Sequence, residues 1–252
     1  MQVTMIGHAT LLIESDRVRL LTDPWLTDPI FGGLVRHTPP LVHGPADLQD
    51  VDLIAITHDH EDHFDARTLR RLPKTVPILV PRTPVTRMAD RARALGFLDV
   101  IELAPWEIHE QGDMRVTCTP SPRGFEHCTW LVETPRARLF DGGDMLEDED
   151  FVKRLAAHGP IDIAFLPISG FRFPHMPRGV MGSKEAAWAA SVLQPGLAVP
   201  SAYQMEWFTD EHRHKNAALM PGRPEEFLRF LEDLTPDVPG RIMIPGDRWT
   251  AP

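Results

Sequence analysis

The apolar positions of the chain change rhythm part-way along. Residues 2–22 fall into three short apolar-rich runs, "QVTMI" (2–6), "ATLLIE" (9–14) and "RVRLLT" (17–22), the last two joined across Ser15-Asp16. Such runs bounded by turn residues predict strands, and the second join predicts a hairpin. "DLIAIT" (52–57) is apolar almost throughout, the pattern of a strand buried on both faces,. Further strands are expected at "VPILV" (76–80), "FLDVIEL" (97–103), "MRVTCTP" (114–120), "CTWLVET" (128–134), "ARLFDGGD" (137–144), "IDIAFLPI" (161–168), "GLAVPS" (196–201) and "RIMIP" (241–245). Helical spacing appears over 65–72, 148–159 and 183–194. It is clearest over 83–96, where Thr83 is placed to cap, Pro84 stands first, Val85, Met88, Ala89, Ala92 and Leu95 share a face, and Gly96 ends the pattern,. A last helix opens at Pro224 and is expected to bury Phe227, Phe230, Leu231 and Leu234.

Strands that first meander and then alternate with helices predict an α/β architecture of two sheets packed face to face with helices outside. Neither a repeat nor a low-complexity linker interrupts the pattern, so residues 1–252 are expected to form one domain,. The Pro- and Gly-rich stretch 23–48 fits no regular element, yet it carries Trp25, Leu26, Ile30, Phe31 and Leu34. Loops of that length are usually functional. This one reads as a cover over an apolar substrate or as a contact in a homo-oligomer.

Composition narrows the partners. With 26 basic and 36 acidic residues the formal charge is −10, spread along the chain. That balance argues against general affinity for nucleic acid or anionic membrane and leaves a small-molecule partner, including an anionic one held in a local basic pocket. Arg172, His175, Arg178 and Lys184 are the residues that would build such a pocket,. The apolar runs fall far short of the roughly 18–20 residues of a membrane span. Two cysteines, Cys118 and Cys128, and an N-terminus without a basic segment leading into an apolar run predict a reduced, cytoplasmic protein,.

The chemistry concentrates in "THDHEDHFD" (57–65), directly after the buried strand. In an extended chain residues two apart project to one side, so His58 and His60 can present two imidazoles to one ion while Asp59 and Glu61 point away. Asp62 and His63 follow where the chain must turn and can reach a second ion. A solvated acidic turn would explain the charge and leave the histidine spacing a coincidence. Imidazole and carboxylate together suit zinc first, with manganese or iron as alternatives.

His58-x-His60-x-Asp62-His63 after an apolar strand resembles the signature of the metallo-β-lactamase superfamily, whose fold is a four-layer αβ/βα sandwich. "MIGHATLLIE", "LLTDPWLTDPIFG", "DGGD" (141–144), "LPISG" and "MGSKEA" (181–186) are similar to the branch containing ascorbate-6-phosphate lactonase and N-acyl phosphatidylethanolamine phospholipase D. The resemblance implies His58 and His60 as ligands of a first metal, Asp62 and His63 as ligands of a second, and Asp144 as the carboxylate bridging them. It implies hydrolysis of an ester, lactone or phosphodiester by a metal-bound hydroxide, with Asp62 the candidate catalytic carboxylate that orients it.

Two further family histidines are replaced: Arg123 stands at the first position and Ala202 or Tyr203 at the second. His127 and His214 are the first candidates to replace them, ahead of His175 and His212. His8 and Asp23 match positions near the metal site, as a ligand neighbour and an orienting carboxylate, or else as structural hydrogen-bonding groups. Because of the replaced histidines two other outcomes stand beside hydrolysis: a metal-poor, inactive member of the fold that binds a small molecule, and an iron or manganese enzyme of redox or lyase type.

Overall fold

The computed structural model describes residues 1–85, 87–124, 126–173, 175–207 and 215–252, the side chains of Lys215 and Ala217 excepted. Three strands, β1 (Gln2–Gly7), β2 (Thr10–Glu14) and β3 (Arg19–Thr22), form the expected meander. β3 then pairs in parallel with β5 (Leu53–Ala55), and the sheet continues in parallel through β6 (Ile78–Pro81) and β7 (Val100–Leu103). The second sheet begins with three antiparallel strands, β8 (Ile108–Gln111), β9 (Met114–Pro120) and β10 (Cys128–Glu133). It goes on through β11 (Arg138–Asp141), which is antiparallel to β10, into the parallel pairs with β12 (Ile163–Pro167) and β13 (Ala198–Ser201).

Side-chain alternation builds the layers. Val3, Met5, Leu11, Ile13, Leu20, Leu53 and Ala55 face inward against Val116, Trp130, Val132, Ile163 and Phe165 of the other sheet. Their alternates Ile6, Leu12, Leu21 and Ile54 face outward, toward a core shared with Leu69 of α1 (Ala66–Arg71) and Met88 and Ala92 of α2 (Met88–Ala94). On the far side Ala164 and Leu166 pack against α3 (Glu149–Ala157), α4 (Ser183–Leu193) and the helix Pro224–Leu234. Helix, sheet, sheet, helix is the predicted four-layer order, each strand placing one face in the central core and the other under helices.

Three expectations are corrected. The helix expected from residue 83 starts at Met88, because the Thr83 hydroxyl accepts the Val85 N–H (3.2 Å) in a local turn and leaves Val85 62% exposed,. "RIMIP" is not a strand. The chain there buries Met243 in the central core, turns at Gly246, and only then pairs, Arg248–Thr250 lying antiparallel to β1. In the last helix Phe227 and Leu231 are buried, whereas Phe230 is partly covered and Leu234 is 50% exposed.

The stretch 23–48 is more regular than its composition suggests. Its strand β4 (Val35–His37) pairs with β14 (Met205–Trp207), and Trp25, Ile30 and Val35 form a small core with Met205 and Trp207. Phe31 N–H donates to the Glu61 carboxylate, tying this cover to the histidine-rich turn.

Candidate metal centre

β5 ends at Ala55, and the chain leaves the sheet through Ile56 and Thr57 into a turn closed by His63 and Phe64 N–H donating to His60 C=O (3.0 and 2.7 Å). α1 follows at once, its first turn capped by Asp65, which accepts from Arg67 and Thr68 N–H,. The helix start therefore fixes how tightly the turn folds. As read from the sequence, Asp59 and Glu61 point away, the first pairing with Arg91 (3.0 Å).

Three other connections converge on this turn. Asp144 follows β11 after the Gly142-Gly143 bend; Gly143 has φ of +49°, and a Cβ there would come within 2.9 Å of Thr57,. Arg123 and His127 lie between β9 and β10, and His8 lies between β1 and β2 with φ of +54°. Gln204 Oε1 accepts the His8 N–H (3.0 Å), while Ala202 N–H donates to His8 C=O (3.0 Å). Ala202 and Gln204 thus clamp the backbone of His8. Tyr203 packs against the outer core instead.

The side chains form two groups, each with three ligand atoms within 4.8 Å of one another: His8, Asp62 and His63, and His58, His60 and Asp144. Asp144 lies between them, Oδ1 3.5 Å from His63 Nε2 and Oδ2 3.7 Å from His58 Nε2. His8 Nε2 is 3.3 Å from Asp62 Oδ2. His127 lies beside the second group, its ring centroid 4.2 Å from that of His58, but belongs to neither. His175 is exposed on a loop turn and belongs to neither group, and His212 and His214 lie outside the described residues. Of the residues expected to build a basic pocket, Arg178 pairs with Glu185, and Lys184 lines a separate cleft with Glu147 and Asp148.

One buried carboxylate organises the centre. Asp23 accepts from Thr57 N–H and Thr57 Oγ1, each at 2.7 Å, and from His63 Nδ1 at 2.7 Å. With its Nδ1 proton so engaged, His63 turns Nε2 toward the two groups. Thr57 Oγ1, its own proton spent on Asp23, accepts from His58 Nδ1 (3.0 Å) and orients that ring likewise. Burial opposes protonation of His63, yet Asp23, Asp144 and Asp62 carry its pKa well above the usual imidazole range,. Burial opposes ionisation of Asp144, but His63, His58 and Arg123 hold its carboxyl well below the usual range. Burial, with His63 beside it, pushes His58 well down, and burial with Arg123 pushes His127 to about 3.

Above the groups opens a cavity of about 150 Å³, lined by Phe31, Phe171, Phe173, Val180, Ala202 and Met205, with His8, His60, Asp62, Arg123 and Asp144 at its floor. The sequence reading left His8 between two roles, and Arg123 as a lost ligand. Its direct contact with Asp144, Nη1 donating to Oδ2 at 2.7 Å, was not foreseeable from spacing.

Two sheets enclosed by helices, with histidines and carboxylates converging beyond the strand ends at one edge, define an α/β sandwich of the metal-site type. The chain belongs to the β-lactamase superfamily: residues 18–202 match the family model described as "Beta-lactamase superfamily domain". A protein of Caldivirga maquilingensis named "UPF0173 metal-dependent hydrolase" is 27% identical over 252 residues, covering 98% of this chain and 96% of the relative. Among solved structures, a "possible metal-dependent hydrolase" from Veillonella parvula superposes with TM-score 0.79 at 18% identity over 99% of both chains. CmlA, "a diiron beta-hydroxylase from Streptomyces venezuelae", superposes with TM-score 0.72 at 18% identity over 98% of this chain and 53% of its own. These two share the fold. No described helix is long and apolar enough to cross a membrane.

Proposed function

We propose that the protein is a metal-dependent hydrolase that opens an ester, lactone or phosphodiester bond of a small molecule. The observation that carries this reading is the set of buried atoms without a hydrogen-bond partner at the centre: His8 Nε2, Asp62 Oδ1 and His63 Nε2. An unpaired buried polar atom costs roughly 1–3 kcal/mol. Three such atoms in neighbouring side chains, two of them imidazole nitrogens, fit a divalent cation. His8, Asp62 and His63 would hold one ion, and His58, His60 and Asp144 are the candidates for another; zinc suits the donors first, manganese or iron next,. When bound, such an ion supplies Lewis acidity, acidifying a water and withdrawing charge from a carbonyl or phosphoryl oxygen.

The protein's own groups supply the rest. Asp62 would orient the attacking water and take its proton through the carboxylate oxygen that does not face the ion. Asp23 keeps His63 in one tautomer throughout. Phe31, Phe171, Val180 and Met205 exclude bulk water from the floor of the cavity and favour a substrate with a small apolar portion beside the scissile bond,.

The test is turnover of nitrophenyl esters, simple lactones and bis(nitrophenyl) phosphate by chelator-stripped protein, then by the same protein reloaded with zinc or manganese. Activity is expected only after reloading, and undiminished turnover by the stripped protein would sink the reading. One observation favours a metal-poor binding protein instead: the Arg123 guanidinium already neutralises Asp144. Absence of metal uptake under the same reloading would support that alternative.

A further inference from the structure

The two groups of ligand atoms are not equally ready for a cation. In the first, His8 Nε2, Asp62 Oδ1 and His63 Nε2 are buried without a well-formed hydrogen bond, His8 Nε2 standing 3.3 Å from Asp62 Oδ2 and His63 Nε2 3.5 Å from Asp144 Oδ1. In the second the corresponding atoms are engaged. His58 Nε2 lies 2.9 Å from His60 Nδ1 in a hydrogen bond, and Asp144 Oδ2 accepts from Arg123 Nη1 at 2.7 Å. His60, moreover, is exposed.

Arg123 is built into this position. Its side chain is 17% exposed, and its guanidinium packs against Gly179, where an added Cβ would stand 3.3 Å from Nη2. Gly179 is itself held by its N–H donating to Phe171 C=O (2.8 Å). A guanidinium keeps its charge at any pH the protein survives. A dication entering the second group would have to break a charge-assisted hydrogen bond and then sit beside a fixed positive charge.

We propose that the centre takes a single divalent ion, at His8, Asp62 and His63, and that the Arg123 guanidinium stands on Asp144 in place of a second cation. The proposal rests on the metal-dependent reading above and adds to it the number and location of the ion. His8 completes the ligand set that residue 202 leaves short, which explains why Ala202 and Gln204 grip the His8 backbone. Among the described residues, His127 is the one that would argue for two ions. Its Nδ1 is buried without a partner and its ring touches that of His58, but it stands outside the second group, and Arg123 repels a cation there as well.

The experiment is metal stoichiometry of the full chain, stripped with chelator, dialysed against zinc or manganese alone and measured by elemental analysis. The wild-type protein is expected to hold about one ion per chain, and Arg123→His, which removes the guanidinium and returns an imidazole, about two. His8→Ala is expected to lose the ion and His60→Ala to keep it. Two ions in the wild-type chain would overturn this proposal while leaving the metal-dependent reading intact; no ion in any variant would overturn both. Retention by His8→Ala with loss by His60→Ala would place the ion in the wrong group and overturn the assignment. A folded Arg123→His that stays at one ion would overturn the role given to the guanidinium. Should that variant not fold, the wild-type count and the His8/His60 pair still decide.

Discussion

His63 and His60 stand three residues apart on one turn, and the fold gives them opposite surroundings. His63 is wholly buried, donates from Nδ1 to Asp23 and faces Asp62 and Asp144, so carboxylates raise its pKa well above the imidazole range. His60 packs one face of its ring against His58 and His127 and leaves the rest open to solvent. The loss of hydration on the packed face, with Arg123 nearby, lowers its pKa. The same residue type in the same motif therefore becomes a pre-oriented, anion-backed donor in one case and, in the other, a solvent-facing ring held by a neighbouring imidazole. A motif supplies the ligand type, and the groups behind each ligand set its strength.

The largest effect belongs to the buried side. Asp62→Asn keeps the shape and removes the carboxylate that is to take a proton, so turnover on the best substrate is expected to fall roughly 10²–10⁴-fold. His60→Ala should cost far less. Comparing kcat of the two reloaded variants checks the contrast directly, and equal losses would erase the asymmetry between the two sides.

How much of this the sequence revealed follows from the range of each interaction. The turn 57–65 was legible because its cause is local: a buried strand end, histidines at spacing two, then a helix cap. The layered fold was legible because alternation along β1, β2, β3 and β5 assigns each side chain to one face. The helix over 83–96 was misplaced because a hydroxyl turn at Thr83 competes with capping, a choice between two local hydrogen bonds that spacing does not decide,. The last strand was misplaced by a few residues because "RIMIP" has the pattern of one, while the pairing depends on where β1 offers an edge. His8 and Arg123 were harder still. Each meets the centre across more than 20 residues of chain, and no local pattern marks an arginine as the partner of an aspartate.

Asp23 tests the next level of the contrast. Asp23→Asn keeps an acceptor for the Thr57 N–H and removes the charge behind His63, so zinc affinity is expected to fall roughly 10–100-fold,. Competition titration against a chromophoric chelator reads this, and unchanged affinity would mean that His63 needs no backing. The same titration run against pH sharpens the point. A raised pKa means His63 holds its proton above 6.5, so zinc must displace that proton near neutrality and affinity declines as pH falls through the raised value,. His58 and His60, with pKa below 6.5, contribute no such loss there. In Asp23→Asn the decline should move to lower pH. A curve that does not move would remove the link between Asp23 and the proton on His63.

The smallest effect lies behind the ligands, at Asp141, which is buried close to Asp23. Its Oδ1 accepts the Gly143 N–H (3.2 Å) and its Oδ2 has no partner. Burial, reinforced by the Asp23 charge, pushes its pKa up to about 7 from an ordinary 3.8. Between those values the folded chain binds a proton that the unfolded chain has released. Stability from this group is therefore complete below 3.8 and lost as pH rises through about 7,. Asp141→Asn is neutral at every pH and escapes that loss. Between pH 3.8 and 7 each unit costs the wild-type chain about 1.4 kcal/mol,, so the mutant should gain about 3–6 °C in Tm relative to wild type between pH 5 and pH 6. Melting curves at those two pH values decide it. Parallel behaviour would mean that Asp141 ionises freely beside Asp23 and that the buried side tolerates one more negative charge than its geometry suggests.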